Sequence, residues 1–188
     1  MLVAVAGPPG SGKTTFAAAL VAAVSRRTTR TAALVAQDGF HLDNAVLASS
    51  GLLARKGAPE TFDVEGLSQL LEELRTAGGD VGVPVFDRGR DAVRENAAVV
   101  PGAADTIIVE GNYLLLDAPP WRRLRPLFDM TIMLTCATET LRTRLTERWL
   151  RHGLSPDAAA ARAEGNDLRN ARLVVERSAD ADLVIANA

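Results

Sequence analysis

Two glycines, a lysine and a threonine stand at fixed spacing near the start of the chain. Residues 7–14 read GPPGSGKT and fit the pattern G-x-x-x-x-G-K-[S/T], to which roughly 0.001 accidental matches are expected at this composition. Glycines let backbone N–H groups curl around a polyphosphate, Lys13 can reach its terminal phosphates, and the Thr14 hydroxyl can bind Mg²⁺. The pattern therefore predicts nucleotide binding by Gly7, Pro8, Pro9, Gly10, Ser11, Gly12, Lys13, Thr14 and Thr15.

Two carboxylates follow short apolar runs that have the character of buried strands. Asp38 comes after residues 31–37, and Glu110 comes after residues 105–109. Open α/β sheets build their sites at the carboxyl ends of strands, so both acids are candidates for a site. Asp38 is a candidate for acid–base chemistry, with an aspartate that only starts a turn as the alternative. Glu110 is a candidate for holding Mg²⁺, directly or through water.

Arginines supply the candidates for binding anions. In a helix predicted from residue 138 onward, Arg144, Arg148 and Arg151 fall on one face. Such a face can fold over a nucleotide and neutralise charge on a transferred phosphoryl group. The alternative is an ordinary exposed face whose arginines pair with neighbouring glutamates. Arg88 or Arg90, in the charged loop 87–91, could clamp an anionic substrate, or both could be solvated surface.

Strand and helix patterns alternate along the chain and would position these residues. Apolar runs predict strands at 2–6, 31–37, 81–86, 105–109, 130–136 and 182–186, with Pro84 marking an edge or a bulge. Helix patterns begin at Lys13, Asp43, Asp63, Thr138 and Ser155. The alternation predicts a single α/β domain over residues 1–188, with a parallel sheet of about five strands and helices on both faces.

Bulk composition narrows the class of protein and its partners. The 188 residues are 47% hydrophobic and 23% charged, as in ordinary globular proteins, and the net charge of −2 argues against nucleic acid or a membrane as the main partner. No run of about 18 apolar residues predicts a membrane span. The single Cys136 lies in an apolar run and is expected to be a buried side chain. With no leader-like N-terminus, we expect a cytoplasmic protein.

Seven segments together carry a resemblance to a known family. They are GPPGSGKT at 7–14, DGFH at 38–41, RKGAPETFD at 55–63, PVFDR at 84–88, VEGNYLLLD at 109–117, the arginine-rich helix, and NDLRNA at 166–171. With these motifs the chain resembles the phosphoribulokinase/uridine kinase/pantothenate kinase group of P-loop kinases. Within that group it is most similar to the bacterial branch described as nucleoside or fructose kinase-like.

The resemblance implies a P-loop NTPase fold with a helical lid at roughly residues 138–170. It implies that Asp38 takes the proton from the acceptor hydroxyl and that Glu110 lies near metal and substrate. It also implies that Arg144 or Arg148 of the lid faces the phosphates. The residues expected to contact the substrate are Asp38, His41, Arg88, Glu110, Tyr113 and Asn170. His41 could instead be a loop histidine that only packs.

The chain departs from the family pattern at one position that matters for the substrate. Asp87 and Arg88 stand where nucleoside kinases of the group usually carry an aromatic-rich segment that contacts the base. This difference argues against a nucleoside acceptor.

The function expected from these observations is transfer of the γ-phosphoryl group of ATP to a hydroxyl of a small metabolite. The acceptor would be a sugar, a nucleoside or a vitamin-like alcohol, with Mg²⁺ as cofactor and a monomer or homodimer as the working unit. The alternatives are a P-loop ATPase or GTPase switch and a non-catalytic binding module. A guanine-reading N-K-x-D motif would need a lysine that neither Lys13 nor Lys56 supplies. Keeping both Asp38 and Glu110 argues against a module that has lost catalysis.

Overall fold

The computed structural model of the protein describes residues 1–27 and 31–187. Its strands are β1 (Leu2–Ala6), β2 (Ala32–Ala36), β3 (Val81–Asp87), β4 (Ala92–Val100), β5 (Thr106–Gly111), β6 (Met130–Thr135) and β7 (Leu183–Ala186). Its α-helices are α1 (Lys13–Arg27), α2 (Asn44–Ser49), α3 (Val64–Thr76), α4 (Thr138–Arg151), α5 (Pro156–Arg162) and α6 (Leu168–Arg177). Short 3₁₀ turns at Gln37–Phe40, Leu53–Arg55, Pro59–Thr61 and Trp121–Leu127 connect them.

Five strands form the central parallel sheet in the order β2-β5-β1-β6-β7. All five residues of β1 are buried, as expected of a strand covered on both faces. Ala4 and Ala6 belong to a core cluster that includes Leu67 of α3, whereas Val5 belongs to a second cluster with Ala17 of α1. The expected five-stranded α/β architecture with helices on both faces is thus confirmed.

The expectation that strand and helix alternate along the whole chain is wrong at β3. This strand pairs antiparallel with β4 in a separate two-stranded sheet. The physical reason is the short turn at residues 88–91, because parallel strands need a crossover of a dozen residues or more. The pairing register shifts between Val83 and Val85, so Pro84 does mark a bulge.

Most of the predicted helix starts are found at their capping side chains. Asp43 accepts from the backbone N–H of Ala45, and Asp63 accepts from that of Gly66. The exception is the helix from residue 138, where Ala137 occupies the N-cap position and makes no side-chain cap. Capping oxygens satisfy N–H groups that the first helical turn leaves open, which is why these signals were readable.

The helices α4, α5 and α6 pack together at one end of the sheet. Leu145, Ala163 and Leu168 form their shared apolar cluster. The indole N–H of Trp149 donates to a carboxylate oxygen of Asp167 at 2.6 Å. In the described ranges, 1–27 and 31–187, no helix is both long and apolar enough to cross a membrane.

Candidate functional site

The loop between β1 and α1 has a curvature that requires glycine. Gly10 and Gly12 have φ angles of +81° and +84°, in the left-handed region that other residues rarely adopt. A Cβ at Gly7 would lie 2.7 Å from the hydroxyl oxygen of Ser11 and 2.9 Å from the backbone oxygen of Leu134. The conformation and the close packing of this loop therefore require glycine at these positions, as the phosphate-binding pattern predicts.

Two features of Ser11 bear on what this loop can bind. Its carbonyl oxygen accepts from the side-chain amide of Asn187 at 2.7 Å, which ties the loop to the end of β7. Its hydroxyl oxygen is buried and has no hydrogen-bond partner among the described residues. A buried hydroxyl without a partner is unusual in proteins, and it fits a loop built around an anion.

Lys13 is half-buried at the first turn of α1 and lies in a dense field of charges. Burial lowers the pKa of its ammonium group, while the negative charges of Glu110 and Asp38 raise it. The positive charges of Arg148 and Arg88 lower that pKa further. The pKa of Lys13 thus responds to four charged groups that come from four other segments of the chain.

Glu110 and Thr14 form a pair of oxygens beside the loop. The Thr14 hydroxyl donates to Oε1 of Glu110 at 3.1 Å, and Glu110 is only 5% exposed. Burial raises the pKa of the Glu110 carboxyl, and the charge of Lys13 lowers it. Glu110 is paired in register with Val5 of β1 and Ala36 of β2, which places it between the phosphate loop and the turn after β2.

These two oxygens suit Mg²⁺, which commonly takes one or two protein oxygens and fills its other positions with phosphates and water. The residues that the structure describes hold no cluster of three or more His, Cys, Asp or Glu side chains suited to a metal. A cation here would therefore depend on a phosphate ligand as well.

Asp38 lies in the turn after β2, on the other side of Glu110. Its Oδ2 accepts from Nη2 of Arg88 at 3.0 Å, and its side chain is 34% exposed. The preceding residue, Gln37, was not singled out from the sequence, yet its Oε1 accepts from the backbone N–H of Tyr113 at 2.9 Å. Gln37 thereby ties the turn that carries Asp38 to the segment that follows Glu110.

His41 packs between two aromatic rings next to Asp38. Its ring centre is 4.2 Å from that of Phe62 and 4.6 Å from that of Phe86. Nδ1 lies 2.8 Å from the carbonyl oxygen of Asp38, so the neutral ring donates there and Nε2 becomes the acceptor. Burial lowers the pKa of His41, which favours this neutral form.

Two arginines of α4 reach the phosphate-loop side. Nη1 of Arg144 lies 3.4 Å from the carbonyl oxygen of Gly10. Nε of Arg148 is buried and has no hydrogen-bond partner in the described part of the chain, and burial lowers the pKa of this guanidinium. Glu139 pairs with Arg142 on another side of the helix, so Glu139 does not neutralise the two inner arginines.

Two predicted substrate contacts lie elsewhere. Tyr113 is fully buried, and its hydroxyl donates to the carbonyl oxygen of Gly57 at 2.6 Å. Asn170 is 2% exposed, and its amide donates to the same oxygen at 3.4 Å. Both side chains are thus bonded within the protein, and their contact with a substrate stays a prediction. Together with Asn166, which donates to the carbonyl oxygen of Lys56 at 3.2 Å, these side chains fix the segment at residues 56–57.

Two clefts of about 240 and 310 Å³ lie between the segment at 54–60 and helices α5 and α6, with Asn166 lining the first and Asn170 the second. Arg55 and Arg169 line both of them. Neither cleft includes the phosphate loop, Asp38 or Glu110. We place the candidate site at the carboxyl ends of the central strands. The charged groups around Lys13 are found there, as are buried polar atoms of Ser11, Gln37 and Arg148 that have no partner within the described residues.

Comparisons with known proteins agree with this geometry. Residues 2–185 match the phosphoribulokinase/uridine kinase family. Protein YggC of Escherichia coli (strain K12) is 34% identical over 186 residues, covering 98% of this chain and 76% of YggC. A provisionally named uridine kinase of Schizosaccharomyces pombe is 31% identical over 198 residues, covering 98% of this chain and 82% of that protein.

Solved structures of kinases also resemble this chain. A protein of Silicibacter sp. TM1040 that bears the provisional name fructose transport system kinase superposes with a TM-score of 0.95 at 49% identity, covering 98% of this chain and 89% of that one. Phosphoribulokinase from Rhodobacter spheroides superposes with a TM-score of 0.60 at 11% identity, over 92% of this chain and 67% of that one. The second likeness concerns the fold alone.

Proposed function

The chain belongs to the phosphoribulokinase/uridine kinase family and is a small-molecule kinase, and we propose that it transfers the γ-phosphoryl group of ATP to a hydroxyl of a sugar, a nucleoside or a vitamin-like alcohol. One observation carries the proposal. Asp38 lies across from the phosphate loop, with Glu110 between them and bonded to Thr14 of the loop, and the charge of Asp38 acts on Lys13. This arrangement can hold a triphosphate and a hydroxyl on opposite sides of one space.

In the proposed reaction the acceptor oxygen bonds to the γ-phosphorus while the bond from that phosphorus to the β–γ bridging oxygen breaks. ADP leaves with the electron pair of the broken bond. The hydroxyl proton passes to the carboxylate of Asp38 and from there to water. Most of the rate in such transfers comes from positioning and electrostatics, which are what the rigid strand ends provide.

The positive charges that stabilise the transferred phosphoryl group would come from the phosphate loop and from α4. Lys13 would contact the terminal phosphates, and Arg144 or Arg148 would bind the phosphoryl group from the lid. The unpartnered Nε of Arg148 supports this role, because a buried donor left without an acceptor costs stability unless a ligand supplies one.

Thr14 and Glu110 would hold Mg²⁺ together with the phosphates. Mg²⁺ would neutralise part of the negative charge of the phosphates. We propose that residues 1–188 act as one domain with a lid at roughly 138–170, working in the cytoplasm as a monomer or homodimer. The acceptor contacts in this proposal are Asp38, His41, Arg88 and Glu110.

The test is a pair of substitutions read by two measurements. Asp38→Asn should lower turnover by about 10² or more, the usual effect of removing a general base, with ATP affinity unchanged. Lys13→Ala should abolish productive ATP binding. ADP release would be followed across sugars, nucleosides and vitamin-like alcohols, and ATP binding would be followed by calorimetry.

Other outcomes would contradict the assignment. Equal losses of turnover and ATP affinity in Asp38→Asn would make Asp38 a structural residue. ADP release that no acceptor stimulates would indicate an ATPase, and ATP binding without any turnover would indicate a binding module.

A further inference from the structure

The ion pair between Arg88 and Asp38 joins the tip of the β3–β4 hairpin to the proposed base. A single contact of 3.0 Å links Nη2 to Oδ2, and the Arg88 side chain is 55% exposed. A guanidinium has five N–H donors, so this contact leaves most of them for a ligand. Arg88 can therefore hold Asp38 and a second anion at the same time.

The turn that carries Arg88 is held at both ends. Oδ1 of Asp87 accepts from the backbone N–H groups of Gly89 and Arg90 at 3.0 and 3.1 Å. On the far side, Nζ of Lys56 lies 2.9 Å from both the carboxylate and the carbonyl oxygen of Asp91. A tip fixed in this way presents Arg88 with less entropy cost than a free surface loop would.

The hairpin is also in close contact with the turn that carries Asp38. A Cβ at Gly39 would lie only 2.4 Å from the backbone oxygen of Pro84. The ring of Phe86 contacts that of His41 at 4.6 Å. Close backbone packing thus holds the turn that carries Asp38 against the strand that leads to Arg88, which keeps the two residues near each other.

The short distance between Arg88 and Asp38 limits which acceptors can contact both side chains. A reacting hydroxyl on Asp38 leaves Arg88 a few ångströms away, close enough for an anionic group a few bonds further along the same molecule. A neutral acceptor offers the guanidinium no charged partner and must compete with it for the Asp38 oxygens. Arginine is the side chain best suited to bind carboxylate or phosphate.

We propose that the acceptor carries its own carboxylate or phosphate near the reacting hydroxyl, and that Arg88 binds this group while Asp38 receives the hydroxyl proton. The inference rests on the proposed kinase function and adds the chemical class of the substrate. Arg88 is a specificity-determining residue in this reading, whereas Lys13 and Arg148 serve the ATP phosphates.

The experiment compares Arg88→Leu with Arg90→Leu. Arg90 is in the same turn but pairs only weakly, at 3.9 Å, with Asp87, and its side chain is 75% exposed. The probes are matched molecules: glycerol, glycerate and glycerol 3-phosphate; fructose and fructose 6-phosphate; ribose and ribose 5-phosphate. Binding would be measured by calorimetry with ADP and Mg²⁺ present, and transfer would be measured from γ-labelled ATP.

The wild-type protein should bind the charged member of at least one set about 10- to 100-fold more tightly than the neutral one, the range expected for a hydrogen bond to a charged group. Arg88→Leu should remove that preference, because it should weaken binding of the charged probe more than binding of its neutral counterpart. Arg90→Leu should keep it. The glycerate and glycerol 3-phosphate measurements decide between carboxylate and phosphate.

Several results would overturn the inference. They are no binding of any charged probe, equal affinity for charged and neutral probes, equal weakening of both by Arg88→Leu, or weakened ATP binding, which would assign Arg88 to the nucleotide. Phosphorylation of neutral alcohols, with no preference for the charged member of any set, would remove the inference and keep the kinase. Charged probes that bind through Arg88 but are never phosphorylated would instead count against the proposed function.

Discussion

Gly39 offers the sharpest test of how the acceptor side of the site is built. It follows Asp38 in the turn after β2 and is buried against the hairpin. Its φ lies outside the left-handed region, so the backbone conformation itself would tolerate alanine. Glycine is required at this position because a larger side chain would collide with Pro84. Gly39→Ala therefore changes the distance between the Asp38 turn and the hairpin without changing any charged group.

The magnitude follows from the contacts that the added methyl group would make. It would meet the backbone oxygen and carbon of Pro84 at 2.4 and 2.9 Å, whereas ordinary contact begins at 3.4 Å. These are backbone atoms of a paired strand, so the turn and the hairpin must separate by about 1 Å. A misplacement of about 1 Å can lower a rate by about 10², and overpacking of this kind costs about 1–3 kcal/mol of stability.

The assay measures the acceptor side of the site and the ATP side separately. We expect kcat/KM for the acceptor that the panel identifies to fall by about 10² in Gly39→Ala, with the calorimetric affinity for ATP unchanged. Urea unfolding would give the stability loss. The matched control is Gly78→Ala, because a methyl group there would meet nothing within 4 Å, and this variant should behave as wild type in all three measurements.

Two outcomes would refute the reasoning. A folded Gly39→Ala variant with kcat/KM within about threefold of wild type would mean that the hairpin does not set the position of Asp38. An equal loss of ATP affinity would mean that the turn also shapes the nucleotide site, and the separation of the two sides would be wrong.

Two further substitutions test the metal and structural assignments. Glu110→Gln should weaken Mg²⁺-dependent ATP binding by about 10- to 100-fold in calorimetric titrations. Because burial raises the pKa of Glu110, wild-type affinity should fall as pH drops through that raised value, and Glu110→Gln should lose this acid limb; an identical pH profile would contradict metal binding. Tyr113→Phe should cost about 0.5–1.5 kcal/mol in urea unfolding, since it removes the bond to Gly57, while the KM for the acceptor stays constant. A changed KM at constant stability would instead indicate that Tyr113 contacts the acceptor.

The phosphate side of the site could be predicted because its signals are local. The loop pattern, the apolar run before it and the helix after it lie within 27 consecutive residues. Glu110 could be found because a buried parallel strand reads as a continuous apolar run and its end is visible as the first charge. The parallel sheet and the family both follow from these local patterns.

The acceptor side could not be predicted in the same way, because its geometry depends on contacts between distant segments. Strand β4 is mostly exposed, and its one apolar run, residues 97–100, is short, so the sequence does not predict the hairpin. Tyr113 and Asn170 are polar residues near the end of an element, and no local pattern distinguishes one that contacts substrate from one that bonds to a buried carbonyl. Their common partner, Gly57, lies 56 and 113 residues away along the chain.

This difference suggests why one fold can serve several acceptors. The register of β5 against β1 and β2 fixes the loop, Glu110 and the start of the Asp38 turn, so changes there would disturb ATP and acceptor together. The hairpin lies outside that sheet, and bonds of Asp87 and Asp91 hold its tip. The Arg88 side chain is not needed for these bonds and pairs with Asp38 instead. A substitution at Arg88 can therefore change the charge that the acceptor meets while the sheet and the phosphate loop keep their geometry. By this argument we expect the turn at the end of β3, rather than the phosphate loop, to determine which acceptor the protein uses.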